Sequence, residues 1–321
     1  MKIHILALDG VFDTGLATLM DAFGTANELA EMTGLTGLRF ELSVVGVRRA
    51  VKTSQGLTVP VVPVPREEVP DWAVVPAIGF KMPGPLQAAL ARRDVADLAG
   101  VLRGYAEQGA DIAAACIGTF VLAESGLLDQ HDATTTWWLA PLFRQRYPQV
   151  RLDEAKMIVK SEKIITAGAA LSHMDLALWI IRQQSPRLAG LTAKYLVVDS
   201  RPSQSAYILV DHLAHTDPLV ESFERWARGE LAQGFSLEHA AAATATSKRT
   251  LARRMQEVLG KSPLAYFQDL RVERAVHLLK TTDQSVDQIA AQVGYADGVT
   301  LRALLHRRLG HGVREIRRNP A

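Results

Sequence analysis

The chain is 321 residues long, 48% hydrophobic and 22% charged, a composition that excludes a disordered or collagen-like polymer and allows two domains with full cores. Its formal net charge of +2 hides a tilt: from residue 216 onward 16 Lys and Arg face 12 Asp and Glu, too mild an excess to name a nucleic-acid partner by itself. Cys116 is the only cysteine, which excludes an intrachain disulfide and a four-cysteine zinc site.

The opening run Met1 to Leu8 meets Asp9 too soon for a signal peptide, and no stretch approaches the ~20 uncharged apolar residues of a membrane helix. A cytoplasmic protein is expected, with no membrane, metal or cofactor. Alternating strand-like and helix-like segments over the first ~195 residues predict an α/β fold. Ile3 to Leu8 reads as a strand, Leu16 to Glu31 as a helix, and Phe40 to Val47 as a second strand. Residues 51 to 70, with Pro60, Pro63, Pro65 and Pro70, read as an extended excursion. Trp72 to Val75 is a buried strand and Pro85 to Gln108 one helix. Asp111 to Ala115 is a strand entering a turn at Cys116-Ile117-Gly118, with helix from Thr119 to Ser125. Met157 to Thr166 reads as a hairpin around Ser161-Glu162-Lys163, and Leu171 to Gln183 as a helix stopped before Pro186.

Residues 198 to 218 read as a connector, with a short helix at Ala206 to His212. From Leu219 every segment is helical: Leu219 to Gln233, a helix-turn-helix at 236 to 259, a long helix from Pro263 to Lys280, and a second unit at 285 to 309. Leu251, Met255 and Leu259 recur fifty positions later as Leu301, Leu305 and Leu309, so each unit ends in a helix with the same buried stripe. Leu237, Ala240 and Ala241 are expected to face that stripe in the first unit. Ser247 and Asp297 are the expected caps of the two second helices, and Ser262 caps the long one with Pro263 in its first turn. Such a layout places a helix in the major groove of double-stranded DNA. With the stripe fixed inward, Arg249, Arg253 and Gln256 project outward and Lys248 sits within reach of phosphate. The candidates on the second helix are Thr300, Arg302 and Arg307.

Residues ~219 to 318 resemble the AraC-type DNA-binding domain. The resemblance rests on Ser247-Lys-Arg-Thr-Leu-Ala-Arg-Arg-Met255, Gly260-Lys-Ser-Pro-Leu-Ala-Tyr266, Asp269-Leu-Arg-Val-Glu-Arg-Ala275 and Ile289-Ala-Ala-Gln-Val-Gly-Tyr295. The second unit departs from that family's pattern: Leu305 replaces an aromatic, Ala303 an Arg, and Gly312, Val313 and Ile316 replace the closing Ser-Pro-Tyr set. Fewer base contacts are expected from it.

The first domain, residues 1 to 197, resembles PfpI-like members of the class I glutamine amidotransferase-like superfamily. The matching segments are Leu8-Asp-Gly-Val-Phe-Asp13, the run from Cys116 to Leu128, Ala133-Thr-Thr-Thr-Trp137 and Ile165-Thr-Ala-Gly168. The resemblance implies a doubly wound, flavodoxin-like fold with a nucleophile-type elbow at Cys116 and Asp13 as the candidate supporting acid. It also argues against catalysis, because active relatives carry His where this chain has Ile117. Together the two domains resemble the GlxA-type transcriptional regulators, in which a His often stands where this chain has Thr136. A pocket beyond the carboxyl ends of the strands is expected to take a small-molecule effector, lined by Asp13, Cys116, Ile117, Thr136, Trp137 and His173. A homodimer is implied as well. Two functions stand at this point: a non-catalytic, sequence-specific DNA-binding regulator, and a thiol-dependent hydrolase or amidase using Cys116 with an appended DNA-binding module. A strand-to-helix turn lowers a thiol's pKa and favours the second, provided a base lies within reach.

Overall fold

Alternation along the first strand sends Ile3 and Ile5 to one side of a sheet and His4 and Leu6 to the other, and all four are buried. In the computed structural model, which describes residues 1–35, 37–65, 68–199, 201, 203, 204, 207, 208, 217–309 and 312–318, the chain divides into two compact units. The first comprises Met1–Leu139 with Tyr147–Gln204, the second Ala140–Arg146 with Ser205–Ala321. Among the described residues no helix is long and apolar enough to cross a membrane.

The elements of the first half run in chain order as β1 (Lys2–Leu6), α1 (Asp13–Met32), β2 (Glu41–Gly46), β3 (Ala50–Lys52), β4 (Thr58–Pro60), β5 (Val62–Pro63) and β6 (Trp72–Val75). There follow α2 (Pro83–Leu90), α3 (Arg93–Glu107), β7 (Asp111–Ala115), α4 (Gly118–Ala123), β8 (Asp132–Ala133), a 3-10 turn (Trp137–Leu139), α5 (Ala140–Arg146) and β9 (Arg151–Leu152). Last come β10 (Ile158–Ser161), β11 (Ile164–Ala167), α6 (Ser172–Gln184) and α7 (Pro186–Tyr195). Seven strands form one sheet in the order β10-β11-β7-β6-β1-β2-β5, parallel except where β10 pairs antiparallel with β11. The order reverses between β1 and β6, the switch point of a doubly wound fold. On one face, Ile3, Ile5, Val74, Ala113 and Ile165 pack with Leu19 and Phe23 of α1, Leu176 and Ile180 of α6 and Leu188 of α7. On the other, His4 Nδ1 lies 3.0 Å from the hydroxyl of Tyr105 on α3.

Three local readings need correction. The helix expected over Pro85 to Gln108 is two helices. Arg92 leaves helical geometry at ψ 150°, and its guanidinium donates to the Asp9 carbonyl (2.8 Å) and to both carboxylate oxygens of Asp94. The excursion at 51 to 70 contains an antiparallel pair, β3 with β4, and the edge strand β5. Pro186 ends α6 and also opens α7, with Ser185 Oγ capping Leu188 N–H at 3.1 Å. Within the expected connector, Gln204 is 1% exposed and bridges Ala169 N–H (2.9 Å) to the Thr135 carbonyl (2.9 Å). Of the short helix expected at 206 to 212, only Tyr207 and Ile208 are among the described residues.

The second unit contains α8 (Pro218–Gly229), α9 (Leu237–Ala243), α10 (Lys248–Leu259), α11 (Pro263–Thr281), α12 (Val286–Gln292), α13 (Gly298–Leu309) and α14 (Val313–Arg318). Helix α8 stops four residues before the expected Gln233, at Gly229, where Glu230 N–H closes on the Ala227 carbonyl. The starts of α8 to α12 each carry a matching cap: Asp217 for α8, Ser236 for α9, Ser247 for α10, Ser262 for α11, and Ser285, with Gln288 completing a capping box, for α12. Asp297 accepts from Thr300 N–H (2.7 Å) at α13. Gly260, at φ 66°, ends α10 in the left-handed conformation that glycine adopts freely. Leu251, Met255 and Leu259 are at most 1% exposed, Leu301 and Leu305 are fully buried and Leu309 is half-buried, so the fifty-residue repeat is core at its first two positions and looser at its third. Arg271 of α11 is buried among three elements. Its Nε donates to the Leu231 carbonyl (3.0 Å), and its guanidinium stacks 4.7 Å from Phe267 and 5.2 Å from Tyr295.

Candidate nucleic-acid interface and the buried elbow

The buried stripe of α10 leaves Lys248, Arg249, Arg253 and Gln256 exposed, and that of α13 leaves Thr300, Arg302 and Arg307 exposed. All seven candidates therefore stand on the solvent side of their helices. They are not equivalent. Lys248 Nζ pairs with Glu238 at 3.3 Å, and Arg253 pairs with Glu257, one turn on, at 2.6 Å. Arg254 belongs to the structure: it binds the cap residue Asp217 and Glu257. Arg249 alone of this basic quartet has no carboxylate partner among the described residues. In the second unit, Arg308 pairs with Asp269 (3.3 Å) and Arg317 donates to the Gln284 carbonyl, which leaves Arg302 and Arg307 as the outward cations of α13. Thr300 serves the cap of its own helix, and its hydrogen bonds to Asp297 hold that carboxyl below the usual range. Surface pairs such as Arg253 with Glu257 are weak, so exchange for a phosphate or a base edge costs little.

The elbow has the predicted backbone. Cys116 sits at φ 56°, a strained left-handed conformation for a non-glycine residue, with its N–H on the Ala167 carbonyl (2.9 Å) and its carbonyl accepting from Thr135 Oγ1 (2.7 Å). A side chain on Gly118 would meet the Val75 carbonyl at 2.4 Å and the Pro76 carbonyl at 2.7 Å, so only glycine lets the turn close on β6.

The side chains do not make a reactive thiol. Cys116 is 3% exposed, and burial pushes its thiol up to about 12, against weaker pulls from the Ile117 N–H, the Thr136 hydroxyl and Lys81. Asp13 is not among the groups that act on it. Asp13 also does not cap its helix. It is the first residue of α1, and one oxygen accepts from Ser54 Oγ (2.7 Å) and Gln55 N–H (3.1 Å). Burial pushes Asp13 up, but these bonds and one from Thr53 outweigh it and hold the carboxyl below the usual range. His173 is fully buried: Nε2 accepts from Ala77 N–H (3.1 Å) and Nδ1–H donates to the Ala170 carbonyl (2.7 Å). A backbone N–H can only donate and a carbonyl only accept, so the tautomer is fixed and both nitrogens are occupied. His131 is engaged with Ser161 Oγ at 2.9 Å. Iodoacetamide at pH 8 should therefore label Cys116 about a thousandfold more slowly in the folded protein than in urea. Equal rates would show an accessible thiolate.

The other expected lining residues are placed as follows. Ile117 and Thr136 are buried, and Trp137 is half-buried, edge-on to Trp138. The elbow and His173 share the segment 75 to 77, which brings Cys116, Ile117 and His173 to one region. Cys116, Ile117, Thr136 and His173 are each at most 3% exposed there. A cleft of about 560 Å³ lies at the opposite, amino ends of the strands, bordered by Trp72, Asp111 and Trp179. Among the described residues, no three of His, Cys, Asp and Glu gather as metal ligands would.

The DJ-1/PfpI family matches residues 1–183, more than half of the chain, and a helix-turn-helix domain matches residues 240–319. The chain belongs to the DJ-1/PfpI family. This DJ-1/PfpI protein carries an AraC-type helix-turn-helix domain behind its α/β domain. It is 25% identical over 198 residues to the HTH-type transcriptional regulator GbdR of Pseudomonas aeruginosa, a match spanning 60% of this chain and 54% of GbdR. To the HTH-type transcriptional regulator CdhR of the same organism it is 29% identical, over 60% of this chain and 59% of CdhR. The chain thus covers less than two thirds of either relative. The crystal structure of an AraC family transcriptional regulator from Pseudomonas putida superposes with a TM-score of 0.50 at 19% identity, covering 61% of this chain and 98% of that one. At that identity the likeness speaks for the fold.

Proposed function

We propose that this DJ-1/PfpI protein is a sequence-specific DNA-binding transcriptional regulator of the cytoplasm. Residues 219–318 bind a double-stranded operator, residues 198–218 connect, and residues 1–197 form a non-catalytic domain that senses a small molecule and dimerises. The observation that carries this reading is the pair of capped recognition-type helices anchored by Leu251 and Met255 in the first and Leu301 and Leu305 in the second, all four fully buried, with Arg249, Arg253 and Gln256 outward on the first. Lys248, Arg302 and Arg307 supply phosphate contacts and register. The regulators GbdR and CdhR, similar over 60% of the chain, support it.

Thiol hydrolysis is not favoured. It needs an ionised thiol and an available base, whereas Cys116 is held protonated, residue 117 is Ile, and His173 has both nitrogens engaged. Effector binding at the elbow has support of a different kind. The buried hydroxyls of Thr119 and Ser172 have no hydrogen-bond partner among the described residues, and buried polar groups normally have one. Asp13, Cys116, Ile117, Thr136, Trp137 and His173 frame that effector site.

A gel-shift titration of the full chain on its own upstream DNA against scrambled DNA tests the reading. Preference for the upstream DNA at physiological salt is expected, and equal affinities would remove the reading. Arg249→Ala should weaken specific binding by about 1–3 kcal/mol and leave binding to scrambled DNA nearly unchanged. An equal loss on both would assign Arg249 to phosphate.

A further inference from the structure

The two recognition-type helices are built alike and read differently. The fifty-residue offset that aligns Leu251 with Leu301 and Met255 with Leu305 also aligns Arg249 with Val299, Arg253 with Ala303 and Gln256 with His306. All six outward residues are exposed, and Val299 is 70% exposed. One exposed valine is ordinary on a protein surface. This one occupies the first turn of α13, one residue after Gly298, at the place where α10 carries Arg249, which has no carboxylate partner among the described residues. The first turn is also the part of a recognition helix that meets base edges. Val299, Ala303 and His306 form a single stripe at helical spacing, with Arg302 beside it to hold the backbone.

We propose that α13 reads thymine through the methyl groups of Val299 and Ala303, while α10 reads guanine through Arg249 and Arg253, so that the operator is asymmetric in composition. Thymine is the one base that offers a methyl group in the major groove, and aliphatic side chains complement it. Arginine complements the paired acceptors of guanine. The proposal rests on the regulator reading above and deepens it.

The full chain is used to select binding sites from a randomised duplex pool, and each thymine of the selected site is then replaced by uracil, which removes only the methyl. In the unaltered protein, at least one thymine in the segment bound by the second unit should cost about fourfold in affinity when replaced, the weight of one buried methyl-sized group. In Val299→Ser that penalty should vanish, while penalties at other thymines persist. Val299→Arg, which copies the first unit, should move the preference at that base from thymine to guanine by about tenfold. If no site enriches, the regulator reading fails and this inference with it. If a site enriches but uracil costs nothing, or costs Val299→Ser as much as the unaltered protein, the regulator reading stands and the methyl contact is overturned.

Discussion

Lowering the pH from 6.5 to 4 should cost the first unit about 3 kcal/mol through His173 alone. Burial pulls this imidazole down to about 4 from an ordinary 6.5, and the bond to the Ala170 carbonyl opposes that shift only in part. Between these two values the unfolded chain binds a proton that the folded chain refuses. The contribution is therefore complete above pH 6.5 and is lost as pH falls through 4. The geometry gives the cause: protonation at Nε2 would set an N–H against the Ala77 N–H at 3.1 Å, in a site with no exposure. Urea unfolding as a function of pH measures the slope. His173→Gln can still accept from Ala77 and has no proton to gain in this range, so its slope should be flat by comparison. An unchanged slope would move the acid sensitivity elsewhere.

Truncating Leu301 should destabilise the second unit by about 3 kcal/mol, within the range of fully buried leucines. The side chain is completely buried in a core with Val272, Ala275, Leu278, Ile289, Val293 and Leu305, drawn from α11, α12 and α13. Removing it opens a cavity that three helices border and none can fill without losing its other contacts. For a unit of this size the melting temperature should fall on the order of 15 °C. Leu264→Ala, at a residue 46% exposed on α11, is the control and should change little. A small effect at Leu301 would mean that the second unit is held by something other than this core.

Much of this was legible in the sequence because it is written in local chemistry. The serine and aspartate caps, the proline at the start of α11, the apolar parallel strands and the repeated stripe each follow from a few adjacent residues. The break between α2 and α3 does not, since it depends on Arg92 reaching the Asp9 carbonyl eighty-three residues away. The start of α7 is masked by Pro186, which stops one helix as readily as it opens the next, though Ser185 before it is an ordinary cap. At the candidate interface, the outward direction of Arg249 and Arg253 followed from the stripe, and the partner Glu257, four residues from Arg253, could have been read from the same spacing. Val299 was equally within reach of the fifty-residue offset. The neutrality of His173 was not, because it is imposed by two backbone groups, at Ala77 and Ala170, brought together only by the fold.

One buried guanidinium has a mechanical consequence. Arg271 is clasped by the segment after α8, by the long helix and by the turn of the second unit, and under the proposed function this clasp would make the two reading helices the jaws of a fixed caliper rather than beads on a string. A single base pair inserted between their footprints would turn the far footprint by about 35° around the duplex axis. A rigid tool cannot follow that rotation, and one jaw must lose its grip.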